Sequence, residues 1–233
     1  MDPFSKLGRV ILTEVRDAQK SSKQGRLEGC GLYAITDGPR ADLIARAEHA
    51  VLGGAKLLQY RDKTDDALRR IREATVLRAV CERHAVRLII NDDVDLARVT
   101  NAHGVHLGQA DADPCLARAI LGERAIIGVS CYNDLSRARE LANLDVDYLA
   151  FGSFFDSPTK PAARRAPIDI LESARALGLP VVAIGGITPC NGAALIAAGA
   201  DFLAVISGVF EATNIEGAAR AYASLFDPSA EHP

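Results

Sequence analysis

From Gly31 onward, apolar residues alternate between two textures. Short unbroken runs read as strands: Leu32-Tyr33-Ala34-Ile35, Ala55 to Tyr60, Val86 to Ile90, Gly104 to Leu107, Ala125 to Val129, Val146 to Phe151, Pro180 to Ile184 and Asp201 to Ile206. Between them apolar residues recur every three or four positions. Leu43, Ile44, Ala47 and Val51 do so in one segment, and Leu68, Ile71, Ala74, Leu77 and Cys81 in the next. This spacing predicts helices over 41–53, 65–83, 94–101, 114–121, 134–143, 167–177, 189–199 and 215–225. Thr64 is the expected cap of the second, and Thr188 with Pro189 opens the seventh.

Continuous apolar strands divided by amphipathic helices mean a parallel sheet covered by helices. Eight strand–helix units favour an α/β fold of the closed (β/α)8 TIM-barrel type over an open doubly wound sheet. An open sheet that binds a dinucleotide carries G-x-G-x-x-G after its first strand, and Ile35-Thr36-Asp37-Gly38 does not begin one. The barrel is expected to fill 29–228. Residues 1–28 form an extension, where Leu7, Val10-Ile11-Leu12 and Val15 suit a short amphipathic helix before a polar, turn-rich joint; 229–233 read as a disordered tail.

Composition narrows the class. The 233 residues are 48% hydrophobic and 24% charged, which excludes a disordered or fibrous chain and leaves ample material for a core. A net charge of -3 gives no basic excess for a long polyanion, so no nucleic-acid partner is expected, although a local phosphate pocket stays open. Five cysteines, odd in number and with no C-x-x-C pair, suit a reduced cytoplasmic protein. The start of the chain has no secretory pattern. Ala176 to Ala200 lacks charge over 25 residues, but Pro180, Gly185-Gly186 and Pro189 break it, so no membrane span is expected.

In a barrel, chemistry sits at the C-terminal strand ends, and unusual polar residues gather there. Gln59, Arg61 and Lys63 have period-two spacing and point the same way if the strand persists. A surface charge pair is the bland alternative. Asp92, Asp93 and Asp111 offer hard oxygens for Mg²⁺ bridged to a phosphate or diphosphate, while Asp92 or Asp93 would equally serve as a helix cap. His106, inside its strand, suits a packed, hydrogen-bonded position. Gly185-Gly186 before a capped helix, and Ser207-Gly208 after the last strand, present backbone N–H groups as a phosphate cup would, though a Gly-Gly pair also makes an ordinary tight turn. Together these residues predict two anionic subsites, one highly charged and metal-assisted, one for a single phosphate.

The order of motifs resembles the thiamine-phosphate synthase family. The match runs through Leu32-Tyr33-Ala34-Ile35-Thr36-Asp37, Gln59-Tyr60-Arg61-Asp62-Lys63, Ile90-Asn91-Asp92-Asp93, Gly104-Val105-His106-Leu107-Gly108-Gln109-Ala110-Asp111, Gly128-Val129-Ser130, Thr159-Lys160, Ala183-Ile184-Gly185-Gly186-Ile187 and Val205-Ile206-Ser207. The resemblance implies a transferase that couples hydroxymethylpyrimidine diphosphate to a thiazole phosphate, plain or carboxylated, releasing diphosphate. It implies Mg²⁺ on Asp92 and Asp111 and small-molecule substrates. No motif sets the oligomeric state; a homodimer is the expectation carried forward. It also implies that Gln59 contacts the pyrimidine and that Tyr33 binds substrate, while Arg61, Lys63, Asn91 and Lys160 hold the diphosphate. Ser130 would lie near the reacting groups, with Ser130, Lys160, Arg61 and Lys63 carrying the catalysis. Ser157, Thr159, Gly186, Ile206 and Ser207 would face the thiazole phosphate.

The chain departs from the family pattern at several positions. Cys131-Tyr132 stands where Thr-His is common, Ser157 where Thr is commoner, and Ser153 and Asp156 replace prolines. A phenol at 132 removes a possible proton carrier, and Asp156 either opposes anionic substrates or faces water. Two other functions compete with coupling: a thiazole-phosphate tautomerase of the related barrel group, and a non-catalytic phosphate-ligand-binding protein using residues 1–28 as a partner element. The tautomerase would need the phosphate cup but not a complete diphosphate–metal site.

Overall fold

A computed structural model describes residues 26–156 and 165–227. Eight parallel strands close into a barrel in sequence order: β1 (Gly31–Ile35), β2 (Leu57–Tyr60), β3 (Arg87–Asn91), β4 (Gly104–Leu107), β5 (Ile126–Tyr132), β6 (Tyr148–Gly152), β7 (Val181–Ile184) and β8 (Phe202–Val205). β8 pairs back onto β1, with Tyr33 opposite Ala204. The predicted barrel is therefore the fold. The extension's predicted helix, the C-terminal tail, and Ser157, Thr159 and Lys160 lie outside the described residues.

Strand alternation divides the interior into two cores. Inward positions Tyr33, Ile35, Leu57, Ile89, Ile126, Tyr148, Val182 and Phe202 fill the barrel. Their outward neighbours, including Leu32, Leu58, Leu88, Ile90, Val105, Leu149 and Leu203, pack under the helices. Both faces of each strand are thus buried, which is why the strands read as unbroken apolar runs. Truncating a fully buried ring such as Phe202 to Ala would cost about 3–5 kcal/mol.

The helices largely follow the predicted periodicity and begin at polar caps. The Asp66 carboxylate, not Thr64, accepts the Arg69 N–H at the start of Ala67–Arg83. Thr64 was the predicted cap, but Asp65-Asp66 lies nearer the first helical turn and supplies a charged acceptor. The Asp93 carboxylate caps Val94–Val99 through the Leu96 N–H, and Asp113 caps Pro114–Leu121. Pro189 opens Pro189–Ala197, where the Asn191 side chain reaches back to the Thr188 N–H. A four-residue helix, Ser207–Phe210, follows β8 directly and was not anticipated; a 3-10 turn over Ser224–Phe226 ends the last helix earlier than predicted.

The base of the barrel is closed by charge. Arg26 reaches Asp145 and Asp147, while Arg118 reaches Asp147 and the Ala125 carbonyl. Leu27 packs against the interior core.

Candidate active site

A cavity of about 410 Å³ opens at the C-terminal strand ends. Tyr33, Gln59, Arg61, Lys63, Asn91, Asp92, Asp111, Ser130, Gly186, Ile206 and Ser207 all line it; of the described candidates from sequence, Asp93 alone does not. Their convergence follows from parallel strands ending on the same side.

The segment after β2 keeps its alternation beyond the assigned strand. Thr36 Oγ1 accepts the Arg61 N–H at 2.8 Å and donates to the Arg61 carbonyl at 3.1 Å, clamping the backbone. Gln59, Arg61 and Lys63 therefore face the cavity, while Asp62 turns away and is buried. There Asp62 accepts the Thr64 N–H and pairs with Arg69 at 2.8 Å. Burial opposes its charge, but these donors outweigh burial and hold its carboxyl below the usual range. The sequence assigns Asp62 no role because it falls on the opposite parity to Gln59, Arg61 and Lys63.

At the end of β3, two adjacent aspartates take different roles. Asp93 serves as the helix cap. Asp92 has a left-handed backbone (φ 64°) and meets Lys63 and Asp111 instead. Asp111 is anchored by the Gly108 N–H, which donates to Oδ2 at 2.6 Å. Burial opposes ionisation at both carboxyls. Lys63 and the hydrogen bond shared with Asp111 pull Asp92 below its usual range, while burial and the Asp92 charge push Asp111 above it. Two carboxyls sharing a hydrogen beside one lysine form a site that a divalent cation would satisfy. Among the described residues, no group of three His, Cys, Asp or Glu is placed to hold a metal. Mg²⁺ characteristically takes only one or two carboxylates and completes its shell with phosphate oxygens and water, so the pair fits it.

Across the mouth, Gly186 has φ 63°, and a Cβ there would lie 2.3 Å from the Asp156 carbonyl oxygen; only glycine permits this close approach. Ile206 caps the short helix Ser207–Phe210, whose first N–H groups have no intrahelical acceptor. Asp156 forms a salt bridge with Arg165, which offsets the negative charge noted in the sequence.

The floor holds groups that sequence reading undervalued. His106 is hydrogen-bonded, as expected of its place in a strand, but it also lines the cavity and lies 2.9 Å from Ser130 Oγ. β5 runs to Tyr132 through a bulge, three residues farther than predicted. Tyr132 Oη accepts the Gln109 N–H at 3.1 Å, tying β5 to the loop that carries Asp111. No cysteine lines the cavity among the described residues, and burial pushes the Cys131 thiol up to about 12, so neither geometry nor ionisation offers a thiolate nucleophile.

The fold and mouth define a barrel enzyme that handles phosphorylated small molecules. The sequence profile of thiamine monophosphate synthase matches residues 32–209. The thiamine-phosphate synthase of Acidithiobacillus ferrooxidans is 53% identical over 204 residues, covering 84% of this chain and 94% of that protein. Its counterpart in Azoarcus sp. strain BH72 is 52% identical over 199 residues, covering 84% and 97%. Among solved structures, thiamine phosphate pyrophosphorylase from Pyrococcus furiosus superposes with a TM-score of 0.77 at 31% identity, covering 85% of this chain and 96% of that one. The chain belongs to the thiamine monophosphate synthase family. These matches do not favour the tautomerase or the non-catalytic binding protein. Among the described residues, no helix is long and apolar enough to cross a membrane.

Proposed function

We propose that this chain is a thiamine-phosphate synthase that couples hydroxymethylpyrimidine diphosphate to a thiazole phosphate, giving thiamine monophosphate and diphosphate. The observation that carries this reading is one cavity with two unlike anion sites: Arg61, Lys63, Asn91, Asp92 and Asp111 on one side, and Gly186, Ile206 and Ser207 on the other. Arg61 and Lys63, with Lys160 from the sequence after β6, hold the diphosphate. Asn91 contributes a neutral contact, and Asp92 and Asp111 would hold Mg²⁺, which would supply positive charge against that of the diphosphate.

Gln59 and Tyr33 receive the pyrimidine, and the Gln59 amide that donates to Tyr33 has its carbonyl oxygen as remaining acceptor. The amino-substituted ring delocalises positive charge at its methylene carbon as the C–O bond to diphosphate breaks. The neutral thiazole nitrogen then supplies the electron pair for the new C–N bond. No enzymic nucleophile is needed. Ser157, Thr159 and the backbone at Gly186, Ile206 and Ser207 orient the acceptor through its phosphate.

We take the enzyme to be a cytoplasmic homodimer. Five free cysteines fit a reducing compartment. Exposed Leu68, Val76, Val99 and Leu116 supply apolar surface for a second copy; sedimentation analysis would measure the assembly. The decisive test of function mixes purified, folded chain with Mg²⁺ and both substrates. Thiamine monophosphate and diphosphate should form in equal amounts, and the absence of product above the enzyme-free control would refute the assignment.

A further inference from the structure

Five inward-facing side chains form a continuous line of hydrogen bonds beneath the mouth. Gln59 Nε2 donates to Tyr33 Oη at 2.7 Å, and Tyr33 Oη lies 2.9 Å from Tyr148 Oη. Tyr148 Oη is 2.9 Å from His106 Nδ1, and His106 Nε2 is 2.9 Å from Ser130 Oγ. Packing fixes the line in place. The His106 ring stacks on Tyr148 with centroids 5.6 Å apart, and Tyr33 meets Tyr148 edge-on. A Cβ on Gly128 would fall 1.8 Å from Tyr148 Cζ, so the glycine makes room for that ring.

The line has a direction. Tyr33 and Tyr148 are buried, at 1% and 0% exposed, and burial raises the ionisation point of both phenols, so each retains its hydrogen. Each such hydrogen needs an acceptor away from water. Tyr33 Oη already accepts from Gln59, which leaves its own hydrogen for Tyr148, although by distance either phenol could donate across that contact. Tyr148 in turn gives its hydrogen to His106 Nδ1. A neutral imidazole that accepts at Nδ1 carries its hydrogen on Nε2 and donates to Ser130 Oγ. Ser130 is then left to donate its own hydrogen into the cavity.

We propose that Gln59, Tyr33, Tyr148 and His106 act as a polarity relay that commits the Ser130 hydroxyl to donating toward the diphosphate-bearing substrate. This rests on the mouth being the coupling site. No proton is transferred along the relay. Its effect is orientation: a hydroxyl already turned to meet developing oxygen charge needs no rearrangement as that charge grows, whereas one presenting a lone pair would repel it. Tyr148 and His106 are thus positioning residues for Ser130.

Two measurements test the proposal on the full chain. In ¹⁵N-histidine-labelled protein without substrates, NMR should show His106 with a pyridine-type Nδ1 and a pyrrole-type Nε2. A pyrrole-type Nδ1, or hydrogens on both nitrogens, would overturn the relay, because each requires the Tyr148 bond to run the other way. In the second, Tyr148→Phe should lower kcat about tenfold while leaving both KM values within about twofold, the scale of one neutral hydrogen bond. Added to Ser130→Ala, the same change should alter kcat by less than about twofold, because the group it acts through is gone. Equal losses in both backgrounds, or no loss in the first, would make Tyr148 a packing residue only. The unsubstituted protein in the same assay reports whether the chain couples substrates at all, and the NMR result stands independently of that answer.

Discussion

The two ends of the barrel use the same residue types to opposite effect. At the base, Asp147 is buried yet fully engaged: Oδ2 accepts from Arg118 and from the Ile127 N–H, each at 2.7 Å, and Oδ1 accepts from Arg26 at 3.2 Å. Each negative oxygen has a positive or N–H partner. At the mouth, Asp92 and Asp111 are set against each other, with Lys63 as the cation on Asp92. One carboxyl is driven down and the other up. A network whose carboxylate oxygens are all met holds structure, whereas two apposed carboxyls beside a lysine make an arrangement a cation can bind between.

Removing Asp147 should produce the largest effect. Asp147→Ala leaves Arg26 and Arg118 buried with less compensation, and breaking such a network costs about 3–5 kcal/mol. Chemical denaturation should show the loss, while kcat of the protein still folded should fall far less than in the mouth variants, because neither Asp147 nor its partners Arg26, Arg118 and Ile127 line the cavity. An unchanged denaturation midpoint would show that the base network is expendable.

Asp92→Ala should reverse that pattern. Coupling should slow by about 10²–10³-fold, the usual cost of losing one preorganised electrostatic contact. Stability should hold or rise, since one of two apposed carboxyls is gone. Near-normal turnover at limiting Mg²⁺ would place the metal elsewhere. Lys63→Ala should slow coupling by about 10²-fold by the same reasoning. Its KM for thiazole phosphate should change less, since that phosphate is assigned to Gly186, Ile206 and Ser207. A dominant rise in that KM would put the two anion sites closer together than proposed.

The contrast also explains what the sequence revealed. Strand runs, helix periods and the parity of Gln59, Arg61 and Lys63 are local, and they locate the mouth from the chain alone. Choice of partner is not local. That Asp93 caps a helix while Asp92 faces Asp111 depends on a left-handed turn at Asp92 and on the loop after β4. His106 read as a packed strand residue because its hydrogen-bond partners, Tyr148 and Ser130, lie 42 and 24 residues away. One signal was present: Tyr33, His106 and Tyr148 are all polar-tipped side chains on inward parity, at positions where a barrel core usually carries branched aliphatics. The base network was harder to see, since Arg26 belonged by pattern to the extension.

The smallest predicted effect concerns pH at the base, just before β4. His103 Nδ1 accepts the Leu88 N–H at 2.8 Å, which requires an unprotonated nitrogen there. Burial, with Arg78 and Arg87 nearby, pushes its pKa from 6.5 down to about 4. The unfolded chain therefore binds a proton at this histidine near pH 6.5, whereas the folded chain resists until about pH 4. Between those values the unfolded state holds more protons, so stability must fall as pH falls through this window. The contribution should be on the order of 2 kcal/mol, after allowing for partial solvent screening. His103→Asn places a non-titrating oxygen at nearly the reach of Nδ1 and should keep the Leu88 bond. Denaturation midpoints measured from pH 7 to pH 4 should therefore decline less steeply in the variant. Equal slopes would mean that His103 does not carry the acid sensitivity of the base, and that the mouth carboxyls must be tested for it instead.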